Sequence, residues 1–395
     1  MKRIYLDYAA TTPIDKNVLK AMRPFLRGDF FNPSAIYKEG VEVGKRINEA
    51  RVSISNILNA RASDIIFTAS GTESVNLAVR GMVEAFKRKY PEITPHIITS
   101  VIEHSAMLEV CRSLEMEAKV EVTYIGVDEG GKVKVAEIEK SIKQETILVS
   151  VMYANNEIGT IQPIKEIARR IKLWKIDNKR NTEDYPFVHT DASQAGNYCV
   201  LDREKLGIDL MTLDGHKIYG PKGVAILYIK KYIPCVPIIN GGGQEGGLRP
   251  GTENVSGIIG MAKALEITQK IKEKESVRLK ILRDYFFDEI LKIIPDVKIN
   301  GSREERLPNN INFCIPNINA EFLVLELDSV GIACASLSSC KNLNDESTSY
   351  VVASLPEGKD CARSSIRLSM GRGTSGRHLR AVLKILPGLV SKAKF

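Results

Sequence analysis

The chain of 395 residues contains no run of about 18 apolar residues, so it offers no helix able to span a membrane. Its opening stretch, "MKRIYLDYAATTP", has neither an apolar core nor a small-residue cleavage site. A secretory signal is therefore not expected, and the cytoplasm is the expected compartment. None of the seven cysteines (Cys111, Cys199, Cys235, Cys314, Cys334, Cys340 and Cys361) stands in a C-x-x-C pair. That spacing argues against a disulfide framework and a common zinc site, so no metal is expected, and most of these thiols read as small buried hydrophobes. The odd count leaves room for one reactive thiol. Arginine-rich arms and interleaved basic and aromatic residues are missing, and a net charge of +8 is modest for this length, so direct nucleic-acid binding is not expected. No internal repeat or low-complexity tract occurs.

What is present is the balance of a soluble globular protein, 44% hydrophobic and 26% charged, in a chain long enough for two domains. Short apolar runs, "DIIFTAS", "HIITSV", "TILVSVMYA", "PFVHTDAS", "LMTLDG" and "GVAILYI", alternate with amphipathic stretches such as "GTESVNLAVRGMVEAFKRK". The alternation predicts an α/β fold with a mostly parallel sheet covered on both faces and ligands at the carboxyl ends of its strands. The basic segment "KEIARRIKLWKIDNKR" spaces Ile167, Ile171 and Trp174 at helical intervals and predicts an amphipathic surface helix, with docking of an acidic partner as a second reading. A glycine-rich stretch, "NGGGQEGGLRPGTEN", precedes one long helical run that bridges into a smaller α/β unit beginning near Pro295, with strands in "NNINFCIP" and "SSIRLSMG".

Within this frame a few residues carry chemistry. Lys217, in "TLDGHKIYGPKG", sits in a strand-end turn. A lysine is ordinarily a solvated surface charge, but one aimed into a cleft loses its proton more easily and becomes an available amine. Asp191, in "VHTDASQ", ends the preceding apolar strand, and the chain between the two has room for one more strand. Alone it reads equally as a helix cap. The pair suits pyridoxal phosphate, which acts as an electron sink when a carboxylate keeps its ring nitrogen protonated. "FTASGTESVNLAVRG" ends a strand in Ser-Gly-Thr and opens a helix, a place for a phosphate, with Thr72 adding a hydroxyl. His104, in "SVIEHSAML", is placed to stack on an aromatic ring or to be a hydrogen-bonded core histidine.

Ten motifs, among them "LDYAATTP", "NPSAIYKEG", "IEHSAML", "ANNEIGTIQPI", "DGHKIYGPKG", "GGGQEGGLRPGTEN", "ASLSSCKN" and "RSSIRLSMGR", occur in the order seen in cysteine desulfurases. Over nearly its whole length the sequence resembles these class V aminotransferase relatives that feed iron–sulfur cluster assembly and nitrogen fixation. The resemblance implies pyridoxal-phosphate fold type I. It places a large cofactor-binding domain at 15–260 and a small domain, 1–14 plus 261–395, that carries the catalytic cysteine loop. Lys217 is then the Schiff-base lysine, Gly71, Thr72 and His216 hold the phosphate, and His104 stacks on the ring. Asp191 pairs with the ring nitrogen, Gln194 with the phenolic oxygen, and Asn156 touches cofactor and substrate. Thr252 reaches the phosphate of a neighbouring subunit, which implies a homodimer, and the planar fork of Arg367 binds the substrate carboxylate.

Cys340 lies in a polar run, "CASLSSCKNLNDEST", at the position that the resemblance gives the sulfur-accepting thiol, and is favoured over Cys334. An ordinary thiol titrates near about 8.5, so an anion-favouring neighbour such as Lys341 would help. The implied reaction takes L-cysteine to L-alanine, leaves a persulfide on Cys340, and hands the sulfur to an acceptor such as an iron–sulfur scaffold or a tRNA-thiolation enzyme. Some positions depart from the pattern. Asp214 stands where relatives commonly have a phosphate-contacting serine, and a carboxylate there would repel the dianion unless protonated or turned away. Gly246 replaces an arginine, Pro250 a serine, Ser105 a lysine, Tyr37 a histidine and Leu337 a glycine. The segment after Cys340 is one residue longer, and a long carboxyl-terminal docking tail is not expected. Two other readings stand beside the first: a related lyase acting, for example, on selenocysteine, and a non-catalytic sulfur-assembly partner, for which Asp214 speaks.

Overall fold

A computed structural model describes residues 3–336 and 348–393. The first strand, β1 (Ile4–Tyr5), stands apart from the next seven: β2 (Ile65–Thr68), β3 (His96–Ser100), β4 (Glu121–Ile125), β5 (Thr146–Ser150), β6 (Phe187–Asp191), β7 (Leu210–Asp214) and β8 (Ala225–Ile229). These seven form one sheet in the order β2-β8-β7-β6-β5-β3-β4. All neighbouring pairs are parallel except those of β8, which runs against both β2 and β7. The strands read as unbroken apolar runs because both faces are covered. Ile98, Val149, Val188 and Met211 point into one hydrophobic cluster, while their chain neighbours Ile97, Leu148, Phe187 and Leu210 point into the other. β4, at the sheet edge, alternates more polar residues and is half-exposed, so no apolar run announces it.

The helices of this half are α1 (Lys16–Met22), α2 (Lys38–Leu58), α3 (Gly71–Lys89), α4 (Ser105–Met116), α5 (Val135–Ser141), α6 (Ile164–Asp177) and α7 (Arg203–Leu206). α3 covers the amphipathic stretch read from the sequence from end to end. In α6, Ile167 and Ile171 are buried as the spacing predicts, but Trp174 is only half-buried and Lys175 is the buried residue. The Lys175 ammonium lies over the ring of Phe187, 4.9 Å from its centroid, and donates to the Thr182 carbonyl, so its long stem packs while its charge keeps partners.

A single helix, α8 (Val255–Ile293), 39 residues long, leads into the second unit. There β9 (Lys298–Ile299), β10 (Asn310–Cys314) and β12 (Ser365–Ser369) form an antiparallel sheet in the order β12-β10-β9, and β11 (Ile332–Ala333) pairs in parallel with β1. α9 (Ala320–Ser329) and α11 (Gly376–Ala393) complete it, while α10 (Tyr350–Ala353) buries Val351 and Val352 in the first large-sheet cluster. The core of the second unit, with Leu6, Phe286, Phe287, Phe313, Leu323, Ile366 and Leu379, is separate from the two clusters on the large sheet. Cys314 and Cys361 are joined as a disulfide. Cys spacing argues against a disulfide framework, and this one bond arises from tertiary contact: Cys314 pairs with Ser365 across the sheet, and the turn holding Cys361 leads into that strand. Among the described residues no helix is long and apolar enough to cross a membrane.

Candidate active site

The parallel strands of the large sheet end on one side, and their carboxyl ends surround a cavity of about 320 Å³. β6 and β7 are hydrogen-bonded neighbours in which Asp191 is in register with Thr212. Asp191, at the end of one strand, therefore faces the same cavity as Lys217, in the turn that follows the other. The Asp191 carboxylate is oriented by the Ser193 amide, which donates to Oδ1 at 2.9 Å. The Lys217 ammonium donates to the carbonyls of Ala9 and Ala10, at 2.9 and 2.8 Å, and the Gln194 amide donates to the same Ala9 carbonyl. The amino-terminal stretch is thus a wall of the site. Sequence reasoning noticed its motif but had no role for it, because carbonyl acceptors carry no side-chain signature.

At the end of β2, Ser70 caps α3 by accepting from the Glu73 amide, and Gly71, which lines the cavity, begins the helix. Thr72 lines the same wall. The Gly71 amide donates to Asp214 Oδ2 at 2.8 Å, while Oδ1 accepts from the His216 amide. Asp214 is buried and is not turned away from the site. The His216 ring contacts Thr11 Oγ1 through Nδ1, and its pKa is lowered by burial against the opposing pull of Asp214.

At the end of β3, His104 caps α4: Nδ1 accepts from the Ala106 amide, which leaves the proton on Nε2 and fixes the ring. Its neighbour Glu103 is fully buried beneath it. Glu103 Oε1 accepts from Ser100 Oγ and from the Met152 amide, joining the ends of β3 and β5, and burial pushes its carboxyl up to about 8. Asn156 lines the cavity beyond β5. From the small sheet, Arg367 on β12 reaches in between Asp7, whose Oδ1 accepts at 2.7 Å, and the Asn156 carbonyl, which accepts at 3.1 Å. Glu103, Asp7 and Ser193 were not among the residues singled out from sequence. The glutamate's place beside His104 was the one available signal.

Thr252 is exposed and stands outside this cavity. Cys340, with Leu337 and Lys341, lies outside the described residues. Cys334 is half-buried, and burial with the nearby Asp7 pushes its thiol up to about 12, the opposite of what a nucleophile needs. Gly246, at φ +66, adopts a left-handed turn that suits glycine better than the arginine expected there.

A lysine and a carboxylate on adjacent strand ends, a helix amino terminus beside them and an arginine delivered from a second unit define the class of fold type I α/β enzymes that use a phosphorylated aromatic aldehyde. The chain belongs to the class-V aminotransferase family, which it matches over residues 4–379. It is similar to the cysteine desulfurase IscS of Dictyoglomus turgidum, 43% identical over all of this chain and 96% of that protein, and to that of Clostridium botulinum, 41% identical over the same shares. Among solved structures it is similar to a NifS-like protein, with a TM-score of 0.89 and 34% identity over 99% of this chain and 100% of that one. It is also similar to SspA in complex with cysteine, at a TM-score of 0.78 and 32% identity over 93% of this chain and 98% of that one.

Members of this family depend on pyridoxal phosphate. The residues present fit that group. Ser193 Oγ and Asn156 Oδ1 are buried in cavity-lining residues and have no hydrogen-bond partner within the protein, which is costly unless a bound polar group satisfies them.

Proposed function

We propose that this protein is a cysteine desulfurase that converts L-cysteine to L-alanine and receives the sulfur on Cys340. The observation that carries this reading is the convergence of Lys217, Asp191 and Arg367 on one cavity from two adjacent strand ends and a separate small sheet. Pyridoxal phosphate, when bound, supplies the electron sink that makes the substrate's Cα proton removable. Asp191 holds a proton at the cofactor's ring nitrogen, His104 supplies a flat surface whose orientation α4 sets, and Gln194 offers its amide to the phenolic oxygen. Gly71, Thr72 and His216 hold the phosphate. Arg367 orients the substrate by its carboxylate, which takes over bonds that the guanidinium otherwise makes to Asp7, and Asn156 flanks it. Lys217, as a free amine, takes the Cα proton at Nζ. The Cys340 thiolate forms an S–S bond to the substrate sulfur as the C–S bond breaks. The electron pair of that bond stays with carbon, which is protonated on the way to alanine.

The same reading divides the chain at 15–260 and 1–14 plus 261–395, supported by the separate core of the small unit. It places the protein in the cytoplasm as a homodimer in which the exposed Thr252 reaches the partner's phosphate site, and makes an iron–sulfur scaffold or similar protein the sulfur acceptor. The test is to follow alanine and sulfide from L-cysteine and a reductant with pyridoxal phosphate present, beside Cys340→Ser. Production of both by the parent and of neither by the variant is expected. Equal sulfide from the two proteins would sink the assignment of Cys340, and a parent that makes neither product would sink the activity.

A further inference from the structure

One corner of the cavity is built differently from the rest. The Gly71 amide, the first N–H of a 19-residue helix, is occupied by a carboxylate of the chain itself, Asp214 Oδ2 at 2.8 Å. The second carboxylate oxygen accepts from the His216 amide and lies 3.5 Å from that ring's Nε2, so Asp214 is held in place from two sides. Directly beside it is Ser193, 8% exposed, whose hydroxyl finds no partner within the protein. The three groups meet at one point: a Cβ added at Gly71 would lie 3.2 Å from Asp214 Oδ2 and 3.5 Å from Ser193 Oγ. A hydroxyl donor is thus buried without an acceptor where a strong amide donor is already claimed by an anion.

We infer that Asp214 and Ser193 together set the affinity for the cofactor's phosphate, Asp214 by competing for the Gly71 amide and Ser193 by donating Oγ–H to the phosphate. This rests on the pyridoxal-phosphate reading of the site and adds two residues to it. A dianion and a carboxylate cannot share one amide donor without repulsion at short range, and that repulsion is strong where water is excluded. The serine hydroxyl gains an acceptor only when the phosphate arrives, so its bond is made in the bound form alone. The balance makes the phosphate handle weaker than a hydroxyl at 214 would give, while leaving recognition of the aldehyde ring untouched.

The experiment compares two probes, pyridoxal phosphate and pyridoxal, which lacks the phosphate, by absorbance titration of the cofactor-stripped full-length protein. Asp214→Asn keeps an amide-accepting oxygen but removes the charge, and is expected to tighten pyridoxal phosphate by about tenfold with little change for pyridoxal. Ser193→Ala is expected to weaken pyridoxal phosphate by about tenfold, again with little change for pyridoxal. Thermal unfolding of the stripped proteins reports whether either variant fails to fold, and Asp214→Ser provides a second neutral side chain if Asn does. Unchanged pyridoxal phosphate affinity in both Asp214 variants, or equal shifts for the two probes, overturns the role of Asp214. An unchanged affinity in Ser193→Ala overturns that of the serine. A parent that takes up neither aldehyde overturns the cofactor reading itself, and is distinguishable from these because the parent is then silent as well.

Discussion

The two walls of the cavity are made by different means. On the large-sheet side, Asp191, Lys217, His104 and Gly71 come from the ends of four strands of one sheet, β6, β7, β3 and β2, each fixed by a turn or cap of its own. On the other side, Arg367 comes from a three-stranded sheet with its own core, and its place depends on long-range bonds. Asn310 and Asn312 donate to the Glu157 carbonyl, buried Arg306 donates to Asn310 and to the Asn300 carbonyl, and Asp7 grips Arg367. The lesson is one of division. Groups expected to hold the cofactor are built into one rigid sheet, whereas the group expected to read the substrate is carried on a separate unit and tied across by a polar network.

That contrast can be broken most severely at Lys217. Lys217→Ala is expected to cut alanine formation by about a thousandfold or more, because among the described residues no other amine faces the cavity to take the Cα proton. Retained turnover would remove the large-sheet wall from the chemistry. Next is Arg367→Lys, which keeps the charge but loses the planar fork. It is expected to raise KM for L-cysteine by about tenfold with a smaller effect on kcat and none on the cofactor's absorbance. A shifted cofactor spectrum with unchanged KM would show that the two walls are not divided as described.

The smallest effect concerns Glu103, which ties two strand ends beneath His104. Its carboxyl is raised from 4.5 to about 8, so the folded protein holds a proton there that the unfolded chain has lost. Stability from this group is full below the unfolded value and is lost as pH rises through the folded one. His189, which burial lowers from 6.5 to about 4, adds an opposite, rising slope just above pH 6.5 as the unfolded imidazole loses its proton, but that slope is common to the parent and a Glu103 variant and cancels between them. Glu103→Gln is therefore expected to show a shallower fall in Tm from pH 6.5 to 8 than the parent. Parallel pH profiles for the two proteins would mean that the carboxyl is already ionised there.

Much of this protein was legible before its structure. The strands of the large sheet other than β4 announced themselves as apolar runs, and α3 was bounded by a serine cap and a basic last turn. Lys217, Asp191 and His104 stood out by chemistry and by their places after strands. The edge strand β4 did not, because half-exposure permits polar residues in it. Nor did Asp7, Ser193 or the carbonyls of Ala9 and Ala10, whose residue types are unremarkable and whose meaning comes from partners far away in the chain. Asp214 was visible as a misfit, but not that it would occupy the Gly71 amide.

The amino-acid order by itself determined the alternation of strand and helix, and with it the side of the sheet on which a ligand must sit. Those properties depend on local periodicity and on the handedness of strand–helix–strand crossovers, both written in short stretches. Only the tertiary structure decided which groups share the cavity: that the amino-terminal segment walls it, that Asp7 grips Arg367, and that a carboxylate and an unpartnered hydroxyl meet at one helix end. Hydrogen bonds and charges act over a few ångströms of space, and chain distance does not enter them.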